Sequence, residues 1–500
     1  MSDNLVDLIL ARHAGHEART ALCWQGQAVA RFGDLPDAIG RARSALAALG
    51  VAPGDRVMVK ADNSPLFVMT YLAVLAAGAV FVPLNPAYTA AEVAALVEDA
   101  EPVLLLHAAG TQVPEAGPRR LTLTGDGTGA FDRLVADATP DRSVAPAKLD
   151  DLAAILFTSG TTGRPKGAML SHGNLASNVA TLHAAWQFSP DDVILHTLPL
   201  FHVHGLFVAL HLGLWAAARI EAWPRFDAAT VVSALPDASV FMGVPTYYTR
   251  LLDHPGFTRD IAAGRRLFIS GSAPLLPSVF TQFEALTGHR ILERYGMTEA
   301  LMITSNPCDA PARIAGTVGF PLPGVDLKVI DDAGQECAAG VVGDIVIRGP
   351  NICHGYWRRP EATAESFDHQ SFFRTGDTGM RDEEGRLTIA GRSKDLIISG
   401  GFNVYPAEIE MVLGDVPGVA DIAVIGVPHP DFGEAVVAVI LADPAGFDRA
   451  AFHATATGSL ARFKQPKAVF VRDAFPRNAM GKILKAELRR EYAATFSVTG

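Results

Sequence analysis

The strongest constraint on the fold is the alternation of short apolar stretches with longer segments of helical spacing. Strand-like runs such as VILHTL (193–198), SVFMGVP (239–245) and RLFISGSA (266–273) each precede a helical pattern. Strands that alternate with helices predict stacked, mostly parallel sheets covered by helices, which is the α/β class. From about residue 316 the chain changes to short strands separated by Gly, Pro and Asp turns, which predicts a β-rich subdomain over about 316–393.

The length and the C-terminal pattern predict two domains. A chain of 500 residues is too long for one small core. After about residue 394 it has a helix, two apolar strands, another helix and a basic tail, which is a small α+β unit. We therefore expect a large N-terminal domain of residues 1–393 and a small C-terminal domain of residues 394–500.

Composition and charge exclude several functional classes. The net charge of −11 disfavours general nucleic-acid binding, because a phosphate backbone requires a basic face. The cysteines at 23, 308, 337 and 353 lack metal-ligand spacing and are typical of reduced thiols. The N-terminus has no signal-peptide pattern, so we expect a cytoplasmic protein.

Residues 66–84 carry no charge and are long enough to span a membrane. Gly78 divides the segment into a helix and a short strand, AVFVPL. A buried strand–helix–strand unit is therefore expected here instead of a membrane span.

The stretch FTSGTTGRPKGAML (157–170) predicts a phosphate-binding loop. It follows an apolar strand and precedes a helix that Ser171 can cap. Backbone N–H groups, hydroxyls and one ammonium group suit an anion, most simply a phosphate chain. The order of residues differs from the P-loop of ATPases, which requires Gly-Lys-Ser/Thr opening a helix. The alternative is a mobile surface loop. The candidate ligands are Thr158, Ser159, Gly160, Thr161, Thr162, Gly163 and Lys166.

Three further motifs carry candidate polar groups. In YGMTEA (295–300), Thr298 and Glu299 suit a phosphate and its Mg²⁺, although a helix-starting Glu has the same pattern. In RTGDTG (374–379), Asp377 is expected in a tight turn, where its carboxylate accepts hydrogen bonds from the two hydroxyls of a ribose. The alternative is that it forms an Asx turn. In PRNAMGKILK (476–485), Lys482 follows a glycine, and taken alone it is a solvated tail lysine.

Together with GRSKDLIISGGFNVYPAEIE (391–410), these motifs in this order resemble the adenylate-forming superfamily. This group contains acyl-CoA synthetases, peptide-synthetase adenylation domains and beetle luciferases, and the resemblance covers roughly residues 10–490. It implies a large N-terminal domain and a small mobile C-terminal domain. It also implies ATP and coenzyme A as cosubstrates and Mg²⁺ as cofactor. The implied reaction joins a carboxylate to AMP, releases pyrophosphate, and then transfers the acyl group to a thiol.

The resemblance also implies roles for individual residues. Lys482 would reach the α-phosphate and the carboxylate, Glu299 would hold Mg²⁺ and Thr298 a phosphate oxygen. Asp377 would accept hydrogen bonds from the ribose hydroxyls, with Arg392 beside it. The adenine would lie near Tyr295 and the backbone of Gly271, Ser272 and Ala273.

A domain rotation between the two half-reactions is implied as well. Its hinge matches Lys394 by position, although many relatives have Asp there. In the second conformation Gly400, Gly401 and Phe402 would line the coenzyme A channel, where a side chain in place of glycine would block the thiol.

The acyl pocket is expected to contain Arg294, Arg250, His202, His204 and Ser272. Two guanidinium groups there suit a substrate with a second carboxylate, bound bidentately. The set resembles malonyl-CoA synthetases, which use malonate and often methylmalonate. Alternatively, Arg294 pairs with Glu293 or another acid and the pocket is apolar. The other substrates considered are a short or medium monocarboxylate and an aryl acid. The same motifs are also compatible with a free carrier protein as the acceptor, or with a nucleotide-binding scaffold without activity.

Overall fold

Four β-sheets organise the part of the chain that the computed structural model describes, namely residues 3–158, 165–399, 402–442, 447–478 and 481–496. The strands are β1 (Thr20–Trp24), β2 (Gln27–Arg31), β3 (Arg56–Lys60), β4 (Val80–Pro83), β5 (Leu104–His107), β6 (Arg119–Thr122), β7 (Leu152–Thr158), β8 (Lys166–Ser171), β9 (Val193–His196), β10 (Arg219–Ala222), β11 (Val240–Gly243), β12 (Leu267–Ser270), β13 (Leu292–Met297), β14 (Leu301–Ser305), β15 (Phe320–Pro321), β16 (Asp326–Ile330), β17 (Gly343–Arg348), β18 (Phe373–Arg381), β19 (Leu387–Arg392), β20 (Ile397–Ser399), β21 (Phe402–Val404), β22 (Asp421–His429), β23 (Gly433–Leu441) and β24 (Ala468–Arg472). The α-helices are α1 (Leu5–Leu10), α2 (Leu35–Ala48), α3 (Pro65–Ala76), α4 (Ala90–Ala100), α5 (Ala130–Asp137), α6 (His172–Ala185), α7 (His211–Trp215), α8 (Ala228–Ala234), α9 (Pro245–Leu252), α10 (Arg259–Ala262), α11 (Pro277–Thr287), α12 (Pro360–Ser366), α13 (Pro406–Leu413), α14 (Arg449–Ser459) and α15 (Lys485–Tyr492).

Two large sheets form the N-terminal part and are mostly parallel, so the predicted α/β class is confirmed. One has the order β15-β14-β13-β12-β11-β9-β10-β1-β2 and the other β6-β5-β3-β4-β7-β8. Antiparallel pairing occurs near the edges, at β1–β2, β13–β14, β14–β15 and β7–β8. The largest buried apolar cluster combines side chains of both sheets with helices α3 and α6.

The uncharged segment 66–84 folds as predicted into a helix and a strand. Ser64 caps α3 by accepting a hydrogen bond from the Phe67 N–H at 3.1 Å, and Gly78 turns the chain toward β4 with φ +70°. In the described residues, no helix is both long enough and apolar enough to cross a membrane.

The last two sheets lie in the regions where the sequence predicts first short strands separated by turns and then a small α+β unit. Strands β16–β19 form an antiparallel sheet. The C-terminal sheet has the order β21-β20-β23-β22, with β24 paired to β23. Its two apolar clusters contain only residues from 397 onward, so this region has a hydrophobic interior of its own.

One predicted α-helix differs in type. The chain forms a π-helix over His204–Leu210 before it continues as α7. Gly205 lies so close to the Pro199 carbonyl that a Cβ would collide with it, and His196 Nε2 is 2.9 Å from the Gly205 oxygen. These local contacts hold the wider turn, which periodicity alone does not reveal.

Candidate active site

Asp377 is the centre of a buried polar cluster. Tyr295 donates a hydrogen bond to Asp377 Oδ2 at 2.6 Å, and Arg392 Nε lies 3.2 Å from Oδ1. The predicted tight turn around Asp377 is wrong, because residues 374–379 lie within strand β18. Gly376 has φ +70°, and the pairing with β17 shifts register here. The strand irregularity, and not a turn, directs the carboxylate toward Tyr295 and Arg392.

Lys482 lies at this same cluster, although it belongs to the C-terminal sheet region. Its loop is closed by the hydrogen bond from Lys482 N–H to Asn478 Oδ1 at 3.0 Å. The neighbouring Gly481 packs on α9, where a Cβ would be 2.9 Å from Thr246 Oγ1. Burial, and next the charge of the nearby Arg392, lower the pKa of Lys482 to about 8, while Asp377 opposes the shift.

Glu299 is a buried carboxylate held by two hydroxyl groups. Tyr356 Oη donates to its Oε1 at 3.1 Å and Thr158 Oγ1 at 3.3 Å. Burial raises the pKa of Glu299, while these hydrogen bonds act in the opposite direction. Lys166, the first residue of β8, places its Nζ 5.1 Å from the centre of the Tyr356 ring. Thr298 is half-buried in the turn just before Glu299.

The donor chemistry around Glu299 fits a Mg²⁺ ion. Among the described residues, no cluster of three or more His, Cys, Asp or Glu side chains could hold a metal by itself. Mg²⁺ usually keeps several waters and takes only one or two carboxylates plus substrate phosphates. A single carboxylate, Glu299, with hydroxyls beside it satisfies that requirement.

Arg294 is a buried cation without a counter-charge in the described structure. Its side chain is only 3% exposed, and its Nε and Nη2 find no hydrogen-bond partner among the described residues. Burial lowers the pKa of Arg294 to about 9, so the group is still charged at neutral pH. Burial, and next the charge of Arg294, lower the pKa of His202 to about 4 and that of His204 well below its usual range.

The alternative pairing of Arg294 with Glu293 is not observed. Successive strand residues point to opposite faces. Glu293 instead accepts a hydrogen bond from the Leu275 N–H at 3.1 Å, and burial raises its pKa to about 8. On the Arg294 side, Ser272 adopts φ +72° and its Oγ lies 3.3 Å from His204 Nδ1. Arg294, His202, His204 and Ser272 are therefore brought together.

Arg250 is exposed on α9, because Tyr248 and Leu251 occupy the buried face of that helix. Its expected place in the acyl pocket stays a prediction.

The remaining predicted residues lie elsewhere or outside the described chain. Lys394 is exposed in a short 3₁₀ turn, Ser393–Asp395, and Phe402 is 55% exposed and stacks on Phe463 at 4.6 Å. Ala273 follows Ser272 and is half-buried. The predictions for Ser159, Gly160, Thr161, Thr162 and Gly163, and for Gly400 and Gly401, fall outside the described residues.

Sequence reasoning missed Tyr356. Its only sequence signal is a tyrosine flanked by Gly355 and Trp357, which says nothing about a contact with Glu299.

Comparisons with known proteins identify the family of this chain. Residues 10–357 match the family described as AMP-binding enzyme, and residues 408–482 match the AMP-binding enzyme C-terminal domain. A malonate–CoA ligase from Arabidopsis thaliana is 37% identical over 481 residues, which is 88% of this chain and 78% of the relative.

Solved structures match nearly the whole chain. The ATP-bound crystal structure of MatB from Rhodopseudomonas palustris is 44% identical, with a TM-score of 0.96 over 99% of this chain and 100% of that one. The apo structure of the same protein covers the same shares of both chains at 44% identity, with a lower TM-score of 0.85. On the family match, the relatives and the assembled site, this chain belongs to the AMP-binding enzyme family, as the resemblance to adenylate-forming enzymes predicted.

Proposed function

We propose that this protein is an AMP-forming ligase that joins malonate to coenzyme A. The family supplies the reaction class, and relatives described as malonate–CoA ligases support the substrate. The observation that carries the proposal is Arg294, a buried guanidinium without a protein partner among the described residues. A second carboxylate on the substrate supplies the missing charge.

In the first half-reaction one malonate carboxylate attacks the α-phosphate of ATP. The bond to pyrophosphate breaks as the acyl–phosphate bond forms. Both reactants are anions, so positive charge and alignment are the main needs of this step. Lys482 supplies the charge beside Asp377, which holds the ribose together with Arg392. Glu299 would hold Mg²⁺, which would supply positive charge to the polyphosphate, and Thr298 would contact a phosphate oxygen.

In the second half-reaction the thiol of coenzyme A attacks the acyl carbon and AMP leaves. We propose that the C-terminal domain, residues 394–500, rotates about Lys394 between the two steps. In the present arrangement Lys482 lies near Asp377 and Arg392, the two residues proposed to hold the ribose. The higher similarity to the ATP-bound form of MatB supports its assignment to the first step.

Electrostatics favours a dicarboxylate over a monocarboxylate. Leaving a buried charge without its partner typically costs about 2–5 kcal/mol. This corresponds to a preference of roughly 30- to several-thousand-fold, at tenfold per 1.4 kcal/mol. Methylmalonate keeps both carboxylates, so we propose it as a second substrate.

The test is kcat/KM for malonate and butyrate with wild type, Arg294→Gly and Arg250→Gly, using free coenzyme A and AMP release. Arg294→Gly loses the malonate preference, and Arg250→Gly shows whether the exposed guanidinium of Arg250 contributes to it. A wild-type preference for butyrate, or an Arg294→Gly variant that still prefers malonate, contradicts the proposal. Adenylate formation without thioester on free coenzyme A indicates a carrier protein as acceptor.

A further inference from the structure

Gly271 lies directly against the guanidinium of Arg294. It follows β12, whose last residue pairs in parallel register with Glu293, so residue 271 is beside residue 294. A Cβ built on Gly271 would be 2.6 Å from both Nε and Nη1 of Arg294, and closer still to Cζ. Real Cβ atoms do not approach other heavy atoms this closely, so any side chain at 271 forces the guanidinium to move.

The backbone does not require glycine at this position. Gly271 is absent from the residues with positive φ, whereas its neighbour Ser272 has φ +72°. Alanine therefore fits the conformation of residue 271, and glycine is needed only for the close approach. The atoms that would collide with the new Cβ belong to the end of the flexible Arg294 side chain. The fold can therefore accommodate alanine at 271, while the Arg294 guanidinium is displaced.

We infer that Gly271 is a specificity-determining position, because its missing side chain creates the space in which the Arg294 guanidinium faces the acyl substrate. His202, His204 and Tyr248 lie near the same guanidinium. The position acts through Arg294 and is therefore a positioning residue. The inference rests on the proposed function, since it assumes that Arg294 binds the second carboxylate.

A double-mutant cycle tests this inference. The four proteins are wild type, Gly271→Ala, Arg294→Ala and the double variant, each assayed with malonate and with butyrate. A misplacement of about 1 Å at a binding group can cost about 100-fold in rate. We expect Gly271→Ala to lower kcat/KM for malonate by a factor of this order relative to butyrate, mainly through KM for malonate, because any effect on the expected adenine site acts on both substrates alike. In the Arg294→Ala background the same substitution leaves the ratio of malonate to butyrate unchanged, because the clash no longer exists.

Independent losses that multiply in the double variant overturn the inference, as does a Gly271→Ala enzyme with unchanged malonate KM. Circular dichroism shows whether each variant folds. If Gly271→Ala fails to fold while the double variant folds, the steric conflict with Arg294 is supported. If both fail to fold, it is contradicted. If wild type itself shows no malonate preference, the proposed function fails, which the wild-type arm reveals separately.

Discussion

The hydroxyl of Tyr356 donates a hydrogen bond of 3.1 Å to Oε1 of Glu299, the carboxylate proposed to hold Mg²⁺. Burial raises the pKa of Glu299, and the Tyr356 hydrogen bond lowers it. A hydrogen bond to the charged form favours ionisation. Tyr356 therefore keeps a buried carboxylate available as an anion, although no sequence motif points to it.

Tyr356→Phe is expected to raise the pKa of Glu299 and weaken Mg²⁺-dependent ATP use, most strongly at acid pH. Hydrogen bonds to charged groups contribute about 1.5–3 kcal/mol, or roughly ten- to a hundredfold. The measurements are the Mg²⁺ concentration for half-maximal pyrophosphate release at several pH values, and calorimetric binding of ATP with Mg²⁺. The acid limb of activity should move to higher pH.

Tyr71→Phe is the matched control for this experiment. Tyr71 is fully buried, and its hydroxyl lies 2.7 Å from His211 Nε2, so the substitution removes a comparable hydrogen bond away from Glu299. It is expected to lower thermal stability without moving the Mg²⁺ or pH dependence. Equal shifts in both variants mean that the Tyr356 hydroxyl is only structural.

The sequence predicts the elements far better than the local geometry. The strand LAAIL and the helix capped by Ser171 occur as β7 and α6, because apolar patterning and an N-cap act over a few neighbouring residues. Gly and Asp favour a turn around Asp377, yet here they occupy an irregular strand. The pairing of β18 with its neighbours decides the conformation, and that is not a local property.

For the site residues too, the sequence predicts some features and leaves others to tertiary packing. The sequence predicts a common site for Asp377 and Lys482 because motif order assigns them together, although they lie far apart in the chain, and the structure brings them near each other. The place of Arg250 in the acyl pocket stays a prediction, since helix α9 presents Tyr248 and Leu251 inward and leaves the arginine exposed. Which face of a short helix is buried depends on tertiary packing, which the sequence does not state.

Ile409→Ala tests the proposed division into domains. Ile409 is fully buried in an apolar cluster made only of residues from 397 onward. Truncating such a side chain costs about 2–5 kcal/mol. We expect calorimetry to show two unfolding transitions, with only the smaller one shifted to lower temperature. Phe283→Ala, in an N-terminal cluster, should shift only the larger one, and a common shift of both transitions argues against separate domains.

Lys482→Ala is expected to abolish acyl-adenylate formation and to spare thioester formation from supplied malonyl-AMP. Lys482 lies at the Asp377 cluster in the arrangement proposed for the first step only. Loss of one positioned charge of this kind costs about 10²–10³ in rate. Pyrophosphate release measures the first half-reaction, and AMP release from malonyl-AMP and coenzyme A measures the second. Equal loss in both contradicts the division of labour between the two conformations.

The alkaline limb of adenylation should report the ionisation of Lys482. Burial lowers its pKa from 10.5 to about 8, so the charged lysine is lost as the pH rises through that value in the free enzyme. We expect kcat/KM for ATP to fall above about pH 8, while kcat persists to higher pH because bound phosphate favours the charged form. Asp377 opposes the downward shift of this pKa, so in Asp377→Asn the same limb should move to lower pH, beyond any loss of ATP affinity. Initial rates of pyrophosphate release at subsaturating ATP between pH 6 and 10 measure this limb. A limb that stays in place in Asp377→Asn shows that another group limits the reaction at high pH.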